Sequence, residues 1–297
     1  MELKTRVIVG DRPGPHLLIT AGVHGDEFEP MAAVRKLANE LDAGQIAGKL
    51  TLVPVVNEAA FLHGQRAAED GLDLARSCPG NADGAVTERT AFALSALIRT
   101  ADAYIDLHTG GTIMSVSPMS GYMLHPDETI LKQQRDMAQA FNLPIVWGTD
   151  SRLDGRSLSV ARDAGIPAIY TEYHGGARCD PAGIRDYVAG CLNVMGQLGL
   201  IDRRQPSSNV KYTVEDRRES SGHMQICYPA PLDGYFEPAV ELGQEITVGQ
   251  TVGTVCDVLG EREVTVPAEQ SGVVLTLRTY SRVLAGDSLG VILETDV

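Results

Sequence analysis

"ITAGVHGDEFEP", residues 19–30, is the stretch that decides how this chain is read. It leaves an apolar run, His16–Ala21, passes through a short polar turn and enters a segment with helical spacing. In 27–41 the apolar residues Phe28, Met31, Val34, Leu37 and Leu41 recur every three or four positions, which marks one face of a helix. Proline is tolerated only in a first turn, so Pro30 predicts a helix start close to Asp26 or Glu27. Strand, turn and helix in that order place His24 and Glu27, two metal-ligand types three positions apart, at a strand's carboxyl end.

The same alternation continues outward. Leu50–Val56, Ala103–Leu107 and Ile166–Thr171 are short, nearly continuous Val/Ile/Leu-rich runs, as strands buried on both faces should be. The segments 87–99, 129–141 and 182–199 carry helical periodicity between them. Residues 1–204 therefore predict an α/β three-layer sandwich with a mostly parallel central sheet. Composition shifts in 205–222, where Pro, Ser, Gly and charge predominate, and this stretch predicts a linker. From 223 to 297 glycines are frequent and helical period is lost, so an all-β unit is expected. It contains a weak repeat, "TVGQTVGTV" (247–255) against "LAGDSLGVI" (284–292), suggesting two halves of a small barrel-sandwich that resembles a biotinyl/lipoyl-like domain. Such domains carry their cofactor on a lysine, and the last lysine here is Lys211. A carrier function is thereby excluded, which leaves a structural or site-covering role.

Bulk composition narrows the function classes. The chain has 297 residues and a net charge of −14, so it is poorly suited to neutralise phosphates, and no nucleic-acid partner is expected. No apolar run approaches the ~20 residues that span a bilayer, and the start shows no secretory h-region. The five cysteines are scattered and form no CxxC pair, which predicts reduced thiols and a cytoplasmic location.

A second strand-and-turn, "AYIDLHTGG", ends at His108. His24, Glu27 and His108 would give one Zn2+ two nitrogens and one carboxylate oxygen, with the fourth position left for water. Taken singly, each histidine is more often a hydrogen-bonded turn residue than a ligand. What favours ligands is that both motifs follow buried-looking strands. Asp106 could orient His108 or cap a strand end. Gly110-Gly111 and Gly175-Gly176 would admit close backbone approach or form ordinary turns. His63, His125 and His223 have no supporting context and are read as structural.

"GVHGDEFEP", "DLHTGG" and "YTEYHGG" together resemble the succinylglutamate desuccinylase/aspartoacylase family, a branch of the zinc carboxypeptidase superfamily. The resemblance covers the α/β part, and the β tail also matches. It implies that His24, Glu27 and His108 hold zinc and that Glu172 is the general base acting on zinc-bound water. It further implies that Arg66 helps stabilise the oxyanion and that Arg76 grips a substrate carboxylate, a task suited to a guanidinium fork. Three positions depart from the family pattern: Glu58 stands for a proline, Ala75 for an asparagine and Cys78 for an aromatic residue. Substrate recognition is therefore expected to differ from that of the named enzymes. His174, two residues past Glu172, is a candidate substrate contact, and 112–128 a candidate part of the specificity pocket.

The expected function is zinc-dependent hydrolysis of an amide bond in a small N-acyl amino acid or related compound. The β tail is expected to narrow the cleft. Alternatives are a metallocarboxypeptidase acting on short peptides and a non-catalytic binding protein on the same fold. The expected partner is a small molecule, and self-association is left open.

Overall fold

The computed structural model describes residues 2–224 and 227–295. Its first part runs β1 (Arg6–Val9), β2 (Arg12–Ala21), α1 (Phe28–Glu40), β3 (Ala47–Val53), α2 (Glu58–His63), α3 (Val86–Ile98), β4 (Ala103–Leu107), β5 (Met114–Met123), α4 (Glu128–Phe141), β6 (Ile145–Thr149), α5 (Ser157–Asp163), β7 (Ala168–Gly175), α6 (Pro181–Gln197) and β8 (Tyr212–Glu215). The second part adds β9 (Gly234–Pro238), β10 (Glu245–Ile246), β11 (Thr251–Cys256), β12 (Glu263–Pro267), β13 (Gly272–Arg278), β14 (Arg282–Val283) and β15 (Gly290–Leu293).

A mixed sheet of 11 strands forms the centre, its main path ordered β1-β3-β2-β4-β7-β5-β13-β10. Side chains alternate across it with the period of two that a strand imposes. In β2, Leu17, Ile19 and Ala21 join the core that α1, α4 and α6 cover, while Leu18 joins the core under α3 and α5. In β4, Ala103, Ile105 and Leu107 face the first layer and Tyr104 the second. Both faces are apolar because both are covered by helices, which is why these strands read as continuous hydrophobic runs.

Pairing β3–β2–β4–β7 is parallel, as expected. Beyond β7 the direction reverses, with β5 antiparallel to β7 and β6 parallel to β5. Helix α1 begins at Phe28 with Glu27 in the cap position, so the start near Glu27 predicted from Pro30 lies within a residue. Three strands differ in extent from the sequence reading: β2 begins earlier, β3 ends earlier, and β7 continues to Gly175. The stretch 205–222, expected as a plain linker, carries β8, which pairs in parallel with β6 at the sheet edge. Its valine explains the strand: Val214 is buried against Trp147 and Ile145.

The C-terminal β strands divide between two sheets. β12-β11-β9-β14 form a four-stranded sheet, whereas β13 hydrogen-bonds to β5 and so extends the central sheet. Between them lies a separate apolar core that includes Phe236, Val255 and Leu289. The two repeat copies hold equivalent places: each turns at a left-handed glycine, Gly249 (φ 84°) or Gly286 (φ 92°), and leads into a strand, β11 or β15. Among the described residues no helix is long and apolar enough to cross a membrane.

Candidate metal centre

Parallel pairing explains how distant residues meet. β2 and β4 are hydrogen-bonded neighbours in register from Leu17↔Ala103 to Ala21↔Leu107, so their carboxyl ends coincide. His24 follows β2, Glu27 opens α1, and His108 follows β4 directly. Ligands gather at such carboxyl ends in α/β sheets. The turn packs tightly on α2: a Cβ at Gly25 would lie 2.0 Å from the Ala60 carbonyl carbon.

One donor atom from each of His24, Glu27 and His108 lies within 4.8 Å of the others. Glu27 is central, with its Oε1 2.7 Å from His24 Nδ1 and its Oε2 3.0 Å from His108 Nδ1. The far ring nitrogens also meet carboxylates: His24 Nε2 lies 3.1 Å from Asp73 Oδ1, and His108 Nε2 lies 3.1 Å from Asp106 Oδ2. Asp106 is held in turn by Thr20 Oγ1 at 2.7 Å and by the Ser157 hydroxyl. This is the outer arrangement that fixes the tautomer and aim of a ligating imidazole. Both Nδ1 atoms thus face a shared carboxylate while both Nε2 atoms are anchored, and that donor set fits a divalent cation such as zinc.

The electrostatics agree. Burial alone would raise the Glu27 carboxyl, but His24 and His108 outweigh it and hold it at about 2. Burial alone would lower His108, but the carboxylates of Asp106 and Glu27 drive it well above its ordinary value. Asp73 is likewise held far below the usual carboxylate range, since His24 and Arg66 overcome its burial. Three carboxylates around two imidazoles form a site that favours positive charge.

Glu172 reaches the same rim from β7, whose parallel pairing with β4 puts Thr171 opposite Leu107. It behaves in the opposite way. Its side chain is buried, and Oε2 has no hydrogen-bond partner among the described residues. Burial pushes its carboxyl up to about 8, with the nearby Glu27 charge adding to the rise and His108 opposing it.

All four residues line one cavity of about 350 Å³. Arg66 and Arg76 line it too, as expected from the sequence. Arg66 is aimed by Asp73, whose Oδ2 accepts from its Nε at 3.2 Å and its Nη2 at 3.0 Å. Ala75, at the departure from the family pattern, also faces the cavity. His174 does not line it. Its backbone turns left-handed (φ 44°) and its ring packs on Tyr173, with centroids 4.6 Å apart. That placement sets His174 apart from the residues on the cavity wall. Of the segment 112–128, Thr112, Ile113, Met114, Val116 and Met123 do reach the wall.

Arg156 and Tyr170 are among the cavity residues that escaped the sequence reading. Arg156, the residue before α5, stands near Arg76, and burial and that like charge both lower its affinity for a proton. Tyr170 lies two residues before Glu172 on the same strand face, and burial beside Glu172 pushes its phenol up. Period two ahead of Glu172 was the signal that could have found Tyr170. For Arg156 the sequence offers none beyond an arginine at a helix start. The C-terminal strands close the far side, with Thr276, Arg278, Asp287 and Ser288 on the wall. Arg278 is buried and fixed there by Asp287 Oδ2 at 2.8 Å and by the Ser288, Tyr280 and Arg282 carbonyls.

Comparison with known proteins places this architecture. The succinylglutamate desuccinylase/aspartoacylase catalytic domain model matches residues 13–198. An N-alpha-acetyl-L-2,4-diaminobutyric acid deacetylase from Halomonas elongata is 31% identical over 288 residues, covering 95% of this chain and 82% of the relative. A succinylglutamate desuccinylase/aspartoacylase structure from Rhodobacter sphaeroides superposes with a TM-score of 0.88 at 27% identity, covering 97% of this chain and 88% of that one. The product-bound ectoine utilization protein EutE of Ruegeria pomeroyi gives a TM-score of 0.88 at 27% identity, covering 97% and 87%. With the matched catalytic-domain model spanning more than half its length, the chain belongs to the succinylglutamate desuccinylase/aspartoacylase family.

Proposed function

We propose that this chain is a zinc-dependent amidohydrolase that cleaves the amide bond of a small N-acyl amino acid. The observation that carries the reading is the pairing, in one cavity, of the His24–Glu27–His108 donor set with a buried glutamate whose Oε2 has no hydrogen-bond partner among the described residues. The family relationship and the deacetylase relative support the reaction class.

His24, Glu27 and His108 would hold the ion. When bound, zinc supplies a Lewis acid for the acyl carbonyl and brings the pKa of water to about 7. Glu172 takes the proton of the attacking water and returns it to the leaving amine. Burial raises the proton affinity of its carboxyl, which suits a group that must both take and return a proton. Arg66, aimed by Asp73, stabilises the oxyanion, an effect worth a few kcal/mol in comparable sites. Arg76 binds the substrate carboxylate. Since Ala75 provides no amide beside it, Arg156 takes the place of a second donor.

Residues 1–204 form the hydrolase unit in this reading. Residues 223–297 form a barrel-sandwich unit that carries no cofactor and walls the cavity, which favours small substrates over polypeptides. No disulfide joins the five cysteines, which supports a reducing, cytoplasmic setting.

The test is amine release from a panel of N-acyl amino acids by the zinc-loaded protein, beside Glu172→Ala with metal content measured on both. Cleavage that is lost in the variant at unchanged zinc content supports the assignment. A wild type that binds zinc but cleaves only the C-terminal bond of peptides would replace it with a carboxypeptidase.

A further inference from the structure

The parallel pairing that gathers the metal centre is repeated at the sheet edge. β6 and β8 are in register from Ile145↔Tyr212 to Gly148↔Glu215, so the segments that follow them, 150–156 and 216–223, leave side by side. Hydrogen bonds tie the two segments together. The Asp150 backbone donates to Ser221 Oγ at 2.8 Å, and the Ser220 backbone donates to Asp150 Oδ2 at 2.8 Å. Between them lies a second cavity of about 180 Å³. Arg76 and Arg156 line both this cavity and the catalytic one.

The second cavity has mixed charge. Arg152 joins the two shared guanidiniums, and Asp150, Asp154 and Glu219 supply as many carboxylates. Asp150 is buried, and its Oδ1 accepts from the Arg152 backbone and Nε. Asp154 and Glu219 are exposed at the rim, where one oxygen of each lies near a cation: Asp154 Oδ1 is 2.7 Å from Arg162, and Glu219 Oε2 is 3.8 Å from Arg152. Burial and the Arg156 and Arg76 charges lower the proton affinity of His223 on the same wall, so its ring adds no further cation. Arg156 bonds no carboxylate among the described residues. The Asp73 charge reaches both shared arginines, but Asp73 itself is bonded to Arg66 and His24.

We infer that this second cavity binds the free amino acid released by the reaction, its carboxylate on Arg76 and Arg156 and its ammonium towards Asp154 and Glu219. The inference rests on the deacylase reading. Hydrolysis changes the charge of the amine half. Before it, the nitrogen is a neutral amide beside a carboxylate. As the C–N bond breaks, the acyl carbon takes the oxygen of water and both of water's protons end on the nitrogen. The products are an acyl carboxylate and a zwitterion. In the catalytic cavity His24, Glu27 and His108 would hold a cation with Arg66 on the same wall, and a new positive charge is repelled there. Burying a cation without a carboxylate to meet it is costly. The second cavity offers both signs beside the same two guanidiniums, so the product can keep its carboxylate in place and turn its ammonium to the other side.

The experiment is calorimetric titration of the full-length protein, metal-free and zinc-loaded, with L-2-aminobutyrate and with L-2-hydroxybutyrate, in which a hydroxyl replaces the ammonium. Wild type should bind the amino acid about fivefold more tightly in both forms, the scale of two exposed ion pairs. The double variant Asp154→Asn, Glu219→Gln changes only exposed side chains and should bring the two affinities within about twofold of each other. Equal affinities in wild type overturn the inference, as does a preference that survives in the variant. A preference confined to the zinc-loaded protein also overturns it, because the amine then binds at the metal centre. Amine release from N-acetyl-2-aminobutyrate and the wider panel tests the deacylase reading separately. Should no N-acyl amino acid be cleaved, that reading fails, while the titrations still decide whether the second cavity takes a zwitterion.

Discussion

His108 and Glu172 leave neighbouring strands of one sheet and face one cavity, yet they are built in opposite ways. His108 is tied at both ring nitrogens, by Glu27 and by Asp106. Asp106 itself is tied by Thr20 and Ser157. Glu172 is equally buried, but its Oε2 has no hydrogen-bond partner among the described residues. The difference separates two demands. A ligand must be held at one tautomer and angle before the ion arrives. A base must keep its proton affinity high and its oxygen available, which burial without bonds achieves.

The sharpest way to break the contrast is Glu172→Gln. It should retain zinc and lower kcat by 10²–10⁴-fold, the usual range for a positioned acid–base group. Stopped assays with metal analysis decide it. A loss of metal together with activity would move Glu172 to the ligand side of the comparison. Asp106→Asn tests the other side. It should weaken metal affinity by about 10–100-fold, measured by competition with a chelating dye, while activity at saturating zinc falls much less. Arg156→Gln should raise KM by about tenfold or more, the loss of one charge-assisted hydrogen bond, with kcat nearly unchanged.

The smallest effect is on stability. Unfolded, Glu172 titrates near its ordinary 4.5, and in the folded, metal-free protein near 8. Between those values the folded state binds the extra proton, so stability falls as pH rises through that window. Glu172→Gln removes the effect. The metal-free variant should therefore melt above wild type at pH 8, with the gap closing near pH 4.5. A gap that grew towards acid would contradict the assignment of the raised carboxyl.

Which parts were legible follows from distance along the chain. His24 and Glu27 share one turn, and the helix period after them fixes where they sit. His108 could be found because it ends a run of apolar residues, whereas Glu172 emerged only through the resemblance carried by "YTEYHGG"; parallel pairing brings both to a common rim. β5 was harder to see. Its sequence "MSVSPMSGYM" mixes serines with Pro118, and the register shifts between Val116 and Met119, where that proline stands. Proline within a strand marks such an irregularity. Arg156 and the wall from β13 were not legible, because only the long-range pairing of β5 with β6 and β13 brings them to the cavity.

The pairing of β13 with β5 also sets an order of events. Every group of the metal corner and the base lies upstream of residue 173, and a chain emerging from the ribosome can settle that part first. The vessel around the reaction is finished only when Thr276 and Arg278 dock on Val116 and Met114. The residues that gather at the rim are thus all in place in the chain before the strand that completes the cavity wall has been made.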